Sequence, residues 1–343
     1  MRFSAFALTL AAVGVFSACQ LANAQTKKME SVSVSVSVAV GGRNAVTYLP
    51  LTLADRLGYF KDEGLSVTLN DFSGGSKSIE ALVGNSADVA VGAFEQTLLI
   101  QRRHMELKAV ALFNRTYGAV IALRPELAKK YKSPADLKGG KFGVTAPGTS
   151  GALALTLLLA KANLPATDIS VIGIGVGPGA LAAAKSGELD GVAQFDPIVS
   201  QLLLDGDMVP IVDTRTAEGM KYLYGGFIAA SSVITTPKMI KERPEALQHF
   251  VNAIVRALRW LHKSTPEQVA GTVPKGYYGD RKDLYMTSVE KVKDTFTTDG
   301  RYTKEDTGTI FKVVSTYGPL KGVQGIVPEN AYDNTFVDHV PKP

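Results

Sequence analysis

Two stretches of the chain read alike: GSKSIEALVGNSADVA at residues 75–90 and GALAAAKSGELDGVA at residues 179–193. Each starts at a glycine, runs through helix-forming residues to a second glycine (Gly84, Gly187), passes an aspartate (Asp88, Asp190) and enters Val-Ala. A helix closed by glycine that feeds a short apolar run is part of a strand-helix-strand unit. Upstream of the first stretch, Ser31 to Val38 alternates with the period of a strand, Pro50 to Phe60 reads as a helix, and Ser66 to Leu69 as a second strand. Ser73-Gly74-Gly75-Ser76 opens the next helix, and Asp88 to Val91 forms a third strand. The middle of the chain follows the same plan: strand Lys141 to Thr145, a loop at Pro147 to Gly151, a helix to Ala162, strand Ser170 to Ile174, helix Gly179 to Ser186 and strand Gly191 to Phe195. Strands alternating with helices of this size predict an α/β fold with mainly parallel sheet, here in two lobes of one kind. A tandem solenoid does not fit, because the recurrence is longer than the ~20 to 50 residues of such repeats.

After a strand expected at Phe227 to Ile234 comes a helical tail. Leu247, Phe250, Val251, Ile254, Leu258 and Leu261 fall on one helical face and read as core, with Trp260 one step off that face. The length of 343 residues suits two domains. With 45% hydrophobic and 20% charged residues, general disorder, a coiled coil and a collagen-like fibre are excluded. A net charge of +5 without a polybasic block argues against nucleic acid as a partner.

Met1-Arg2, the apolar run from Phe3 to Phe16 and Ala22-Asn23-Ala24 have the layout of a secretory signal, with cleavage expected after Ala24. Cys19, the only cysteine, sits in Phe16-Ser17-Ala18-Cys19, which leaves lipid attachment there as the alternative. Cleavage after Ala24 leaves a chain with no thiol, which excludes thiol catalysis and Cys-ligated metal.

A strand that ends in a Gly/Ser/Thr loop opening a helix aims free backbone N–H groups and the positive end of the helix dipole at whatever lies in front of it. This pattern occurs at Ser73 to Ser76, at Gly148 to Gly151 and at Gly177-Pro178-Gly179, an arrangement suited to an anion. Gly173 to Gly179 does not have the spacing of a dinucleotide fingerprint, since Pro178 occupies the place of the third glycine. Asp196, followed by Pro197, reads either as a helix cap or as an acceptor for a ligand amine, and Glu95 holds the matching place in the other lobe. Arg43 and Arg115 lie near loop or strand ends, where a guanidinium fork can meet an acid group or simply face solvent. His104, His249, His262 and His339 are scattered, and neither a metalloprotease helix nor a Gly-x-Ser-x-Gly elbow occurs, so no catalytic residue and no metal site is expected.

Ala54 to Val67 (ADRLGYFKDEGLSV), Ala81-Leu82-Val83-Gly84 with Asp88, Ala135-Asp136-Leu137-Lys138-Gly139, Gly187-Glu188-Leu189-Asp190 and Phe195-Asp196-Pro197 together resemble the substrate-binding proteins of bacterial ABC importers for nitrate, sulfonate and taurine. The likeness runs from about Ser31 to Pro274 and extends to the thiamine-pyrimidine binders. It implies a type II periplasmic-binding fold: a signal peptide at 1–24, lobe one at 30–113 and 224–343, lobe two at 114–223, two crossing strands and a ligand cleft between the lobes. Carried onto this chain, it implies a small-molecule site at Arg43, Asn44, Tyr48, Gly75, Ser76, Phe94, Glu95, Thr149, Ser150, Gly177, Asp196 and Tyr224. Phe195 stands where many relatives carry Trp. The resemblance further implies a periplasmic monomer, without cofactor, that takes up an anionic solute and meets an inner-membrane ABC permease. The rival readings are an enzyme of this fold related to thiamine-pyrimidine synthesis and a sensor that presents ligand to a membrane receptor.

Overall fold

A computed structural model of the chain describes residues 33–72 and 74–342. The expected signal, Cys19, the start of the first strand at Ser31 and Ser73 lie outside the described residues. Strand β1 (Val34–Gly41) carries the Ser/Val alternation, but its second half is buried on both faces because it occupies an interior position in the sheet. It pairs in parallel with β2 (Leu65–Phe72) and with β3 (Val89–Ala93). The helix expected at Pro50 to Phe60 is interrupted: Leu49–Arg56 ends before Gly58, whose φ of 78° turns the chain into a second short helix, Tyr59–Asp62.

Beyond β4 (Lys108–Leu112) the chain builds a second sheet from β5 (Val120–Leu123), β6 (Lys141–Val144), β7 (Ser170–Gly173), β8 (Gly191–Gln194) and β9 (Val209–Asp213). It then returns to the first sheet as β10 (Ser231–Thr235). The strand orders are β2-β1-β3-β10-β4 and β7-β6-β8-β5-β9. These are one pattern used twice, with a strand that follows a crossing inserted antiparallel before the last: β10 between β3 and β4, β5 between β8 and β9. This mixed α/β architecture is the type II periplasmic-binding arrangement, with each sheet at the heart of one lobe.

The return strand starts later than its apolar run suggests. The N–H groups of Ile228, Ala229 and Ala230 go to Arg115, Asp306 and Asn114 carbonyls, so this stretch spans the crossing before sheet pairing begins at Ser231. The tail helix Pro244–Lys263 buries Leu247, Phe250, Val251, Ile254, Leu258 and Leu261 completely, each worth about 1.5–3 kcal/mol over exposure. Trp260 is partly buried against the same core. At the end of β1, a Cβ on Gly41 would lie 2.1 Å from the Gly75 nitrogen, so this glycine lets the start of helix Gly75–Val83 sit directly on the sheet edge. Alanine at position 41 therefore pushes that helix start outward; a loss of about 1–3 kcal/mol in urea unfolding is expected, and an unchanged midpoint would contradict the close packing.

Candidate functional site

Two helix starts meet where the lobes face each other. Helix Gly75–Val83 follows β2 in lobe one, and helix Ser150–Ala160 follows β6 in lobe two. A Cβ on Gly74 would lie 2.9 Å from Ala146 Cβ and 3.4 Å from Thr149 Cγ2, so the loops touch. Hydrogen bonds span the cleft mouth: Ser76 Oγ donates to the Pro147 carbonyl (3.3 Å), Gln96 Nε2 to the Gly148 carbonyl (3.2 Å) and the Val46 N–H to the Asp196 carbonyl (3.1 Å). The cleft is closed down to a notch of about 20 Å³, room for little more than one water.

Hydroxyl and amide groups dominate the polar part of the notch wall, with Thr47, Tyr48, Ser76, Gln96, Thr149 and Ser150 among them. Among the described residues, no Lys or Arg lines it. Its floor is tied by Asn114, whose Nδ2 donates to Thr47 Oγ1 (2.9 Å) while its Oδ1 accepts the Ser231 N–H (3.0 Å); the Thr47 and Ser231 hydroxyls are 2.5 Å apart. These bonds join the loop after β1 to both crossings.

Glu95 lies behind that floor at the start of helix Glu95–Ile100 and is 1% exposed. The Tyr117 hydroxyl donates to its Oε2, while Oε1 is buried without a partner. Burial pushes this carboxyl up to about 7, against the smaller opposing effect of the Tyr117 bond. Tyr48, Tyr117 and Tyr224 surround it, and all three phenols are raised, first by burial and then by the Glu95 charge. The three phenols therefore stay protonated in neutral solution, whereas the Glu95 carboxyl titrates there.

Asp196 is 4% exposed and faces Arg215, whose Nη1 donates to Asp196 Oδ2 (3.0 Å) and to Ser200 Oγ (2.9 Å). Its Oδ1 accepts the Ser200 N–H at 3.2 Å, in the first turn of helix Ile198–Leu204. The aspartate thus serves both as a cap and as one partner of a buried arginine that it shares with Asp213. On its other side opens a cavity of about 330 Å³ between Val176 to Leu181 of lobe two and the segment Gly276 to Leu284.

The fold brings Tyr48, Gly75, Ser76, Thr149 and Ser150 to the notch, and Asn44, Gly177 and Asp196 to the neighbouring cavity. Glu95 and Tyr224 stand behind the floor. Phe94 and Arg43, expected at the site, line neither hollow. Phe94 is fully buried and packs on Tyr302 and Tyr332 (ring centroids 5.5 and 6.4 Å), because the turn into the following helix directs it into the core. Arg43 lines neither hollow: the loop is held by Gly42 and Arg43 N–H groups donating to Asp71 Oδ1, at 2.9 and 3.0 Å. Arg115 likewise serves structure, forking onto buried Asp306 with Nη2 to Oδ1 at 2.6 Å. Gln96, Tyr117, Thr145 and Ser231 line the notch without having been singled out in the sequence. Gln96 adjoins Glu95 and Thr145 ends the strand expected at Lys141 to Thr145, whereas Tyr117 and Ser231 sit on the crossings, where no motif marks them.

A Bordetella bronchiseptica RB50 protein of known structure is 38% identical, with a TM-score of 0.85 over 89% of this chain and 96% of its own. The alkanesulfonate-binding protein SsuA from Xanthomonas axonopodis pv. citri, solved with MOPS bound, shares the fold at 19% identity and a TM-score of 0.67, covering 88% and 98% of the two chains. YtlA of Bacillus subtilis (strain 168), named as a candidate binding protein, is 24% identical over 78% of each chain. The desulfurization enzyme DSZB also has this fold, at 16% identity and a TM-score of 0.55 over 89% of this chain and 98% of its own, so the architecture alone does not divide binding from catalysis. The NMT1-like family pattern matches residues 33–273, a span that includes both sheets and both sides of the cleft, and the chain belongs to that family.

Proposed function

We propose that this protein is the extracytoplasmic solute-binding component of an ABC importer, which captures a small organic anion of the sulfonate, carboxylate or nitrate class by closing its lobes on it. The observation that carries this reading is the meeting of two helix N-termini across a hydroxyl-lined notch. Positive dipole ends and free N–H groups favour negative charge there without a side-chain cation. Ligand that bridges the lobes stabilises the closed form, and an inner-membrane permease then recognises that form. The secretory layout of Met1 to Ala24 supports a periplasmic setting for this work, and a monomer suffices for it.

Thermal unfolding of the chain without residues 1–24, against sulfonates, carboxylates, nitrate and amines, tests the reading. Binding to the native state adds about 2.7 kcal/mol at a hundredfold excess over Kd. We expect a shift with anions that shrinks in Ser150→Val and persists in Arg43→Ala. A shift only with amines would overturn the anion class. Recovery of a chemically altered ligand would overturn the carrier role in favour of catalysis.

A further inference from the structure

The notch and the neighbouring cavity share three wall residues, Ala45, Val176 and Phe195, so a ligand seated in one borders the other. Their sizes differ greatly, about 20 Å³ against about 330 Å³. The first, closed as it is, has room for a group of about water size. The second falls in the range of small-molecule sites.

Its wall is mainly apolar, with Leu181, Ile198 and Leu284 beside the aromatic faces of Phe195, Tyr277 and Tyr278. The polar side chains among its lining are largely committed elsewhere. Asp196 is paired with Arg215, Gln194 bonds Gly175 and Thr145, Gln201 Nε2 donates to Asp205 at 2.6 Å, and Arg281 lies between Asp205 (3.7 Å) and Asp283 (3.5 Å). Placing a further charge there would strand it in an apolar setting, whereas an uncharged ring removes apolar surface from water.

We propose that this cavity is a second compartment of the ligand site and holds the uncharged, ring-sized apolar body of an organic anion whose acid group occupies the notch. The proposal rests on the anion-binding reading above and adds the class of anion. Wall residues come from both lobes, with Leu181 and Ile198 on one side and Tyr277 and Tyr278 on the other, so the body as well as the acid group contributes to closure. Asn44 lines the larger cavity, its Nδ2 3.7 Å from where a Cβ on Gly177 would project.

Titration calorimetry with two matched pairs, methanesulfonate against benzenesulfonate and acetate against phenylacetate, tests the assignment. The ring-bearing member of at least one pair is expected to bind on the order of 100-fold more tightly. That ratio falls below about threefold in Leu181→Trp, which fills the cavity, and drops at least about tenfold in Tyr278→Ala, which removes an aromatic wall. Urea unfolding of each variant establishes that it is folded before its ratio is read. Equal affinity within both pairs, or a ring advantage that survives both substitutions, overturns the second compartment while leaving anion binding intact. Absence of binding by all four anions overturns the anion reading and this inference with it.

Discussion

Replacing Arg215 with methionine is expected to lower the unfolding free energy by about 3–5 kcal/mol, read by urea denaturation at pH 7. The guanidinium side chain is 3% exposed and holds the buried Asp196 carboxylate together with Asp213 at 2.6 Å. Burial works against the arginine charge, but the Asp213 hydrogen bonds and the Asp196 charge outweigh it and raise its proton affinity further. Methionine keeps much of the volume and leaves Asp196 as an uncompensated charge in the interior. Most of the expected loss is that stranded carboxylate rather than the bond itself. A paired Arg215→Met, Asp196→Leu variant should therefore recover at least half of the loss. If the single substitution costs less than about 1 kcal/mol, Asp196 has access to water or another cation and its placement here is mistaken. The outcome also bears on ligand chemistry, because Asp196 already has a cationic partner inside the protein, one that it shares with the part-exposed Asp213.

Glu95→Gln should act in the opposite direction. Burial lifts the carboxyl from its ordinary value of 4.5 to about 7 in the folded chain. Below pH 4.5 the carboxyl is protonated in both folded and unfolded chains, so it carries no penalty there. As the pH rises from 4.5 to about 7, the unfolded chain releases the proton that the folded chain retains, and stability falls; above about 7 the loss is complete. A shift of this size corresponds to about 3 kcal/mol. Glutamine keeps the shape and can accept the Tyr117 hydroxyl hydrogen bond, but it does not titrate. The variant should match the parent near pH 4 and exceed it by about 3 kcal/mol at pH 8. The groups facing Glu95 from neighbouring elements are Tyr48, Tyr117 and Tyr224, all raised and neutral across this range, so the difference curve isolates the one carboxyl. A parent and variant that keep a constant gap from pH 4 to pH 8 would show that Glu95 is ionised throughout or reached by solvent.

Much of the fold was legible because strand and helix periods, and the glycines that end helices, are properties of neighbouring residues. The α/β alternation, the helix stop at Gly84, the loops opening at Gly75 and Thr149, and the apolar stripe of Pro244–Lys263 all belong to this class. β4, β5 and β9 escaped notice. β5 is four residues buried on both faces, an apolar run with no alternation to distinguish strand from helix. The antiparallel insertion of β5 and β10 depends on where the chain crosses between lobes, which no local pattern encodes.

At the site, sequence alone identified the two helix starts, since a Gly/Ser/Thr loop before a helix carries its chemistry in its own backbone. Tertiary structure alone decided what those loops face. Asp196 and Glu95 both read as a cap or a ligand group until Arg215 is seen 3.0 Å from the first and the fold encloses the second among tyrosines. The larger cavity exists only because residues 276–284 come to lie against residues 176–181. Local sequence sets backbone conformation through short-range sterics and hydrogen bonding, whereas charge compensation, desolvation and cavity shape arise from residues brought together by packing.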